Sequence, residues 1–146
     1  MPTLKELLGA DKRPAVIADS LRVLDAEVAD KGGLSGMAVK TAYKVVKGIS
    51  PDFLERVVDA LFDDFMDALD PIYQEAAASG TSPRAKLTQN TDRVADALLG
   101  ITDRRAQSAK NPVVKKTYEK LRGSAKKHVE AAVPRLGELL ERHTGG

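Results

Sequence analysis

The spacing of the apolar residues is the feature of this sequence that most restricts its fold. Leucine, isoleucine and valine recur every three or four residues, as at Ile17, Leu21, Leu24 and Val28, and this spacing puts them on one face of an α-helix. No segment alternates apolar and polar residues between hairpin turns, as strands do. A chain of 146 residues can enclose one core. We therefore predict an all-α, single-domain bundle of six to eight helices joined by short loops over residues 1–144, with a frayed tail at 145–146.

Capping residues, glycines and prolines predict where these helices begin and end. Side-chain N-caps are expected at Thr3, Ser35, Ser50, Ser82 and Asn111. The serines at 50 and 82 and the asparagine at 111 each precede a proline, which suits the first turn of a helix.

Two further prolines are expected to interrupt helices, because proline cannot donate a hydrogen bond to the preceding turn. Pro71 is predicted to kink or restart the helix that begins near position 50, and Pro134 to separate a short final helix. Between these prolines, a single helix is predicted from Pro83 through Ile101, with Gly100 as a weak point.

The net charge of +2 conceals a strong separation of charge along the chain. Residues 52–75 contain eight acidic side chains and one basic, and residues 104–127 contain nine basic side chains and one acidic. Four of the acids follow one helical face at intervals of four residues and form an acidic strip: Glu55, Asp59, Asp63 and Asp67. Six of the bases lie on two neighbouring lines of one helix and form a basic strip: Lys115, Lys116, Lys120, Arg122, Lys126 and Lys127.

Three interpretations of these strips stay open. They can be solvated outer faces that keep the protein soluble. They can meet each other, within one molecule or in a homodimer, or meet another protein. The basic helix 112–133 can also bind a nucleic acid or another polyanion, although no aromatic residues are interleaved with its bases. We predict a non-enzymatic binding or assembly module that acts through its charged helix faces; an apolar small ligand within the bundle is a further alternative.

The sequence predicts no catalytic residue, metal site or cofactor. The absence of cysteine excludes disulfides, thiolate catalysis and Cys-ligated metals. The segment 63–67 matches the DDxxD pattern with which prenyl-diphosphate enzymes hold magnesium, but a second acidic motif is missing and an acidic helix face produces the pattern easily. His128 is expected to be partly buried and hydrogen-bonded, and His143 to lie in the tail.

A second group of bases lies on the helix expected after Gly32. Lys40, Lys44 and Lys47 share one face of that helix, which follows the turn at residues 32–36 as a recognition helix follows its turn in a helix-turn-helix, but this turn is heavy in glycine. The helix has no Arg, Asn or Gln to read base edges, so we expect a solvated face. No apolar run is long enough to span a bilayer, and we expect a soluble cytoplasmic protein with no membrane partner.

Three segments carry a resemblance to a known family. Residues 12–16 (KRPAV), 28–36 (VADKGGLSG) and 126–137 (KKHVEAAVPRLG) resemble a family of small uncharacterised proteins from high-GC actinobacteria. The resemblance implies a cytoplasmic all-helical protein, and it implies no activity, cofactor or catalytic residue.

Overall fold

The computed structural model describes residues 2–145, apart from the side chain of Ala10. Seven α-helices lie in this part of the chain: α1 (Leu4–Leu8), α2 (Arg13–Asp30), α3 (Gly33–Lys47), α4 (Phe53–Ser79), α5 (Pro83–Gln89), α6 (Thr91–Gln107) and α7 (Pro112–Thr144). A 3₁₀ turn at Ala10–Lys12 connects α1 to α2. Helix accounts for 87% of the residues, and residues 2–145 contain no strand, which confirms the predicted all-α, single-domain bundle. Of the predicted tail, Gly145 closes α7 in the left-handed conformation, and Gly146 lies outside the described residues.

Three of the predicted N-caps are confirmed. Side-chain oxygens of Thr3, Ser82 and Asn111 accept backbone N–H bonds in the first turns of α1, α5 and α7, at 2.9–3.1 Å. Each bond satisfies a donor that has no partner inside the helix. These local signals therefore place the starts of three helices correctly.

Two predicted N-caps are wrong. Ser35 lies inside the first turn of α3, because Gly32 already occupies the N-cap position. Ser50 and Pro51 form a turn ahead of α4, which begins at Phe53. The hydroxyl of Ser50 bonds to the side chains of Asp52 in that turn and of Arg56 in α4, so it does not cap the helix.

The predicted restart at Pro71 and the predicted break at Pro134 are also wrong. Helix α4 continues through Pro71, and α7 continues through Pro134. Buried side chains lie on both sides of each proline, with Leu69 and Ile72 in α4 and Val133 immediately before Pro134. The gain from burying these apolar faces outweighs the hydrogen bond that each proline removes.

The helix predicted from Pro83 through Ile101 is in fact two helices. Asn90 interrupts it with a non-helical backbone (φ −129°, ψ 39°), and its side-chain amide donates to the carbonyl of Lys86 at 2.8 Å. The break lets α5 and α6 turn separately against α4 and α7.

The apolar core lies toward one end of the bundle. Its buried side chains come from α1, α2, α4, α5, α6 and the end of α7: Leu4, Leu8, Val16, Ile17, Phe62, Met66, Leu69, Ile72, Tyr73, Leu87, Val94, Val133, Leu139 and Leu140. Helix α3 buries only Gly36, and α7 buries no residue before Val133. The accessible surface of 8037 Å² exceeds the about 7,300 Å² expected for a 15.7 kDa monomer. Val28, Leu99 and Ile101 are also buried, outside this cluster, whereas α3 and the first half of α7 contribute almost nothing to the core.

Polar contacts show how α7 is oriented against its neighbours. Asp19 near the middle of α2 contacts Arg142, whereas Lys31 just after α2 contacts the carbonyl of His128, so α2 and α7 run antiparallel. Helix α6 also runs antiparallel to α7. The first half of α7, which carries the basic strip, therefore extends beyond the end of α2.

Candidate functional site

The acidic strip on α4 is paired within the molecule. Arg13 of α2 bridges two of its carboxylates, with Nε 3.0 Å from Asp59 Oδ1 and Nη1 2.9 Å from Asp63 Oδ1. Lys5 of α1 places Nζ 3.3 Å from Asp67 Oδ2. The hydrogen bonds that Arg13 donates to Asp59 and Asp63 hold the pKa of Arg13 above its ordinary value. The partners of this strip thus come from the start of the chain and not from the basic strip.

The carboxylates of the DDxxD pattern diverge to different partners. Asp63 and Asp67 turn toward α2 and α1, whereas Asp64 Oδ2 lies 3.0 Å from Nη2 of Arg105 on α6. Within residues 2–145, no group of three or more His, Asp or Glu side chains is placed to share a metal ion. Glu55, the remaining member of the acidic strip, is exposed and has no ion-pair partner among the described residues.

The basic strip on α7 divides into two lines with different surroundings. The first line is paired with α6, where Arg122 Nε lies 2.8 Å from Asp103 Oδ1 and Lys126 Nζ contacts Asp92 and lies 3.1 Å from Asp96 Oδ1. The hydrogen bonds to Asp92 and Asp96 raise the pKa of Lys126. These two bases therefore fasten α7 to α6.

The second line carries bases without partners. Lys116, Lys120 and Lys127 are exposed and form no ion pair with any residue between 2 and 145. We call these three residues the lysine face. They span about 16 Å along α7 at 1.5 Å per residue. Lys115 is also exposed and unpaired within this part of the chain, but it lies on the side of α7 that faces α6.

A glycine lies in the middle of the lysine face. Gly123 completes a spacing of four, three and four residues from Lys116 to Lys127, and a Cβ atom built on it would meet nothing within 4 Å. By contrast, a Cβ on Gly137 of the same helix would lie 2.6 Å from the Cα of Arg84. Packing against α5 therefore requires a glycine at 137, whereas no contact within the described chain requires one at 123.

A cavity of about 420 Å³ opens between α2, α3 and α7. Its wall includes an ion-pair network around the buried Glu27, whose two carboxylate oxygens lie 2.9 Å from Lys31 Nζ and 2.7 Å from Arg135 Nη1. Lys127 of the lysine face also lines this cavity. The end of the lysine face therefore lies beside the first turn of α3, which contributes Ser35.

His128 lies in the wall of the same cavity. It is partly buried, as predicted, but its Nε2 atom is enclosed and has no hydrogen-bond partner, so the predicted hydrogen bond is missing there. Burial lowers the pKa of His128, and the charges of Lys31 and Lys127 lower it further. The fold therefore favours the neutral imidazole.

A second cavity, of about 370 Å³, lies between α6 and α7. Tyr118 lines it and donates to Asp103, and burial followed by this hydrogen bond raises the pKa of Tyr118. Charged side chains border both cavities, and neither is an enclosed apolar chamber. The two cavities therefore do not support the binding of an apolar ligand, which stays a prediction.

One polar cluster was not predicted from the sequence. Asp19 is buried and accepts hydrogen bonds from Arg142, and its Oδ2 lies 2.8 Å from Nε2 of His143. The placement of His143 in a frayed tail is therefore wrong. Burial alone would raise the pKa of Asp19. The hydrogen bonds from His143 and Arg142, together with the charges of these two residues, outweigh burial and hold the pKa of Asp19 below its ordinary value. The cluster joins the end of α7 to α2, and no local sequence signal marks it, because its members are more than 120 residues apart.

A family model matches residues 4–144, which include every helix from α1 to α7. The chain belongs to DUF6918, a family of unknown function. The predicted resemblance to an uncharacterised family is thereby confirmed, while DUF6918 carries no activity that would choose among the functions considered above.

Searches of curated proteins and of solved structures found no match to this DUF6918 chain. Across residues 2–145, no helix has a stretch long and apolar enough to cross a membrane.

Proposed function

We propose that this protein is a non-enzymatic binding module that holds an acidic partner on the lysine face of α7. The observation that carries the proposal is the unequal pairing of the two strips. Arg13 and Lys5 already neutralise most of the acidic strip, whereas Lys116, Lys120 and Lys127 have no partner in residues 2–145. Like charges four residues apart on a helix repel each other, and an acidic partner would remove that repulsion.

The surroundings of the lysine face favour an acidic protein surface. Val113 is 44% exposed and lies three residues before Lys116 and seven before Lys120, which puts an apolar side chain on the same side of the helix. An acidic protein can cover an apolar residue and pair with lysines in one contact. A nucleic acid is the second candidate, supported only by the positive charge.

A second copy of the chain is one acidic partner that the sequence itself supplies. The side chains of Asp59, Asp63 and Asp67 remain 57–60% exposed although they are paired, and Glu55 is exposed. Sedimentation velocity at low and high salt tests this partner, because a charge-driven assembly dissociates as salt screens the charges. A monomer under both conditions would exclude the second copy and leave other acidic proteins.

The test of the lysine face uses a matched pair of triple variants. Lys116→Glu, Lys120→Glu and Lys127→Glu reverse the lysine face, and Lys12→Glu, Arg104→Glu and Lys110→Glu change the net charge equally at other exposed bases. We expect the first triple to weaken binding of poly-L-glutamate about tenfold or more at low salt, and the second less than about threefold. Equal losses in both triples would show that only net charge matters and would contradict the proposal. Binding of duplex DNA but not of poly-L-glutamate would favour the second candidate.

We also propose that the protein is cytoplasmic and of actinobacterial origin, as expected from the sequence. Cell fractionation checks the location directly.

A further inference from the structure

Helix α3 presents an apolar ridge on its outer side. Leu34 is 89% exposed, Met37 65% and Val45 46%, and together with the exposed Thr41 they lie on one line of the helix. Large apolar side chains on other helices, such as Leu69 and Ile72 of α4, are 1% exposed. We call Leu34, Met37, Thr41 and Val45 the α3 ridge, and its exposure is not explained by packing within the chain.

The charges of α3 are all positive. The helix contains no acidic residue, and Lys40 and Lys44 are exposed beside the α3 ridge without an ion-pair partner in residues 2–145. Only Lys47 has a neighbouring acid, with Nζ 3.8 Å from Asp25 Oδ1, and it also lies 5.0 Å from the ring centre of Tyr43. An apolar line with lysines beside it is complementary to a surface with an apolar interior, which would receive the ridge, and an anionic outer layer, which would pair with the lysines.

Charge argues against a second copy of the chain on the α3 ridge. A second copy that docked α3 against α3 would bring Lys40 and Lys44 close to the same lysines, with no acid on either helix.

An anionic bilayer surface supplies the opposite charge to Lys40 and Lys44, and its lipids adapt to the shape of a helix that lies among their headgroups. We propose that α3 docks the protein on the surface of an anionic phospholipid bilayer. The α3 ridge enters the boundary between headgroups and acyl chains, and Lys40 and Lys44 stay at the level of the lipid phosphates. The contact goes beyond the proposed function, since it uses a different helix and a different class of partner, and it replaces the sequence-based expectation of no membrane partner.

The experiment measures co-sedimentation of the full chain with vesicles of phosphatidylcholine alone and with vesicles in which phosphatidylserine replaces about a third of the lipid. The test variant is Leu34→Asp, and the matched control is Val113→Asp. Both replace an exposed apolar residue in the first turn of a helix, where an acid favours helix formation, so both are expected to fold. Circular-dichroism melting verifies the fold of each variant.

We expect the unmodified protein to bind the anionic vesicles only. Leu34→Asp should lower its partition about tenfold or more, and Val113→Asp less than about twofold. The pair Lys40→Glu and Lys44→Glu should lower it about twentyfold or more, at about fivefold for each lysine near the surface.

Three results would overturn the proposal. The first is that the unmodified protein binds neither kind of vesicle, or binds both equally. The second is that Leu34→Asp binds as the unmodified protein does while reversal of the lysine face abolishes binding, because the contact would then belong to α7. The third is a dimer in sedimentation velocity that Leu34→Asp converts to a monomer without any effect of lipid, because a second copy would then cover the α3 ridge.

Discussion

The enclosed Nε2 atom of His128 makes the stability of this protein depend on pH. Burial and the charges of Lys31 and Lys127 put the pKa of His128 in the folded state below the about 6.5 of an unfolded chain. The unfolded chain therefore binds a proton more readily than the folded one. The contribution of the neutral imidazole to stability is complete above about pH 6.5 and decreases as the pH falls below that value.

We expect the free energy of unfolding to decrease between about pH 6.5 and pH 5, by at most about 1.4 kcal/mol per pH unit from this group. His128→Leu should remove that decrease, because leucine keeps the volume without a titratable atom. Urea denaturation at several pH values measures it. His143→Gln, which leaves His128 in place, is the control and should retain the decrease. Parallel pH profiles for His128→Leu and the unmodified protein would contradict the role given to His128.

The two histidines show which surroundings of a side chain can be predicted from the sequence. The apolar spacing around His128 correctly predicted partial burial, since helical periodicity is a local property. The prediction of His143 in a tail is wrong because its partner Asp19 is 124 residues away, and no local pattern indicates that contact. Hydrogen bonds between distant residues depend on the order in which helices pack, and a single sequence does not specify that order.

At the scale of single helices, the glycines of α7 give a test in which one substitution has opposite effects. Gly123→Ala places a methyl group in open space, and it should stabilise the protein by about 0.5–1 kcal/mol, because glycine is less favourable than alanine in a helix. Gly137→Ala would press a methyl group against the backbone of Arg84, and it should destabilise the protein by about 1–3 kcal/mol. Thermal and urea unfolding measure both.

The binding function adds a second readout to this pair. If a partner approaches the lysine face closely, Gly123→Ala should weaken poly-L-glutamate binding while it stabilises the fold. Gly100→Ala is the control, since position 100 lies inside α6, where the nearest atom to a new Cβ is 4.0 Å away. It should stabilise by a similar amount and leave binding unchanged. Destabilisation by Gly123→Ala would mean that α7 is not a regular helix there.

Helix boundaries illustrate which elements a sequence specifies. Ser82 and Asn111 cap helices as predicted, because the capping bond joins residues two or three positions apart. An equally local rule predicts that Pro71 kinks or restarts its helix and that Pro134 breaks its helix. Both helices continue, because burying the apolar faces on either side outweighs the lost hydrogen bond. Local rules thus hold where tertiary packing is neutral and fail where it opposes them.

At the scale of the whole molecule, both charged strips were visible in the sequence but their partners were not. Four-residue spacing shows which side chains share a face. It does not show that Arg13 of α2 lies over Asp59 and Asp63, or that the acids of α6 pair with only one line of the basic strip. The antiparallel contact of α6 with α7 therefore decides which bases are paired and which form the lysine face, and residue spacing alone does not specify that contact.

The uneven distribution of burial predicts uneven local stability. Amide hydrogens exchange slowly where opening would expose a packed core, and quickly where a helix can open alone. Helix α3 buries only Gly36, and residues 112–132 of α7 contain no buried side chain, whereas residues 133–140 include Val133, Leu139 and Leu140. We therefore expect protection to increase along α7 from its first half to its end, and α3 to exchange faster than the second half of α4.

Hydrogen–deuterium exchange followed by mass spectrometry measures this gradient on peptides from residues 112–127 and 133–144. The second half of α4, which buries Met66, Leu69 and Ile72, is the slow reference. Equal protection along α7 would contradict the prediction and show that the helix opens only with the whole fold. The expected gradient places the α3 ridge and the lysine face in the part of the molecule that opens most easily. A surface in that part can adjust to a partner without disturbing the core, since the core side chains of α7 lie in its last third.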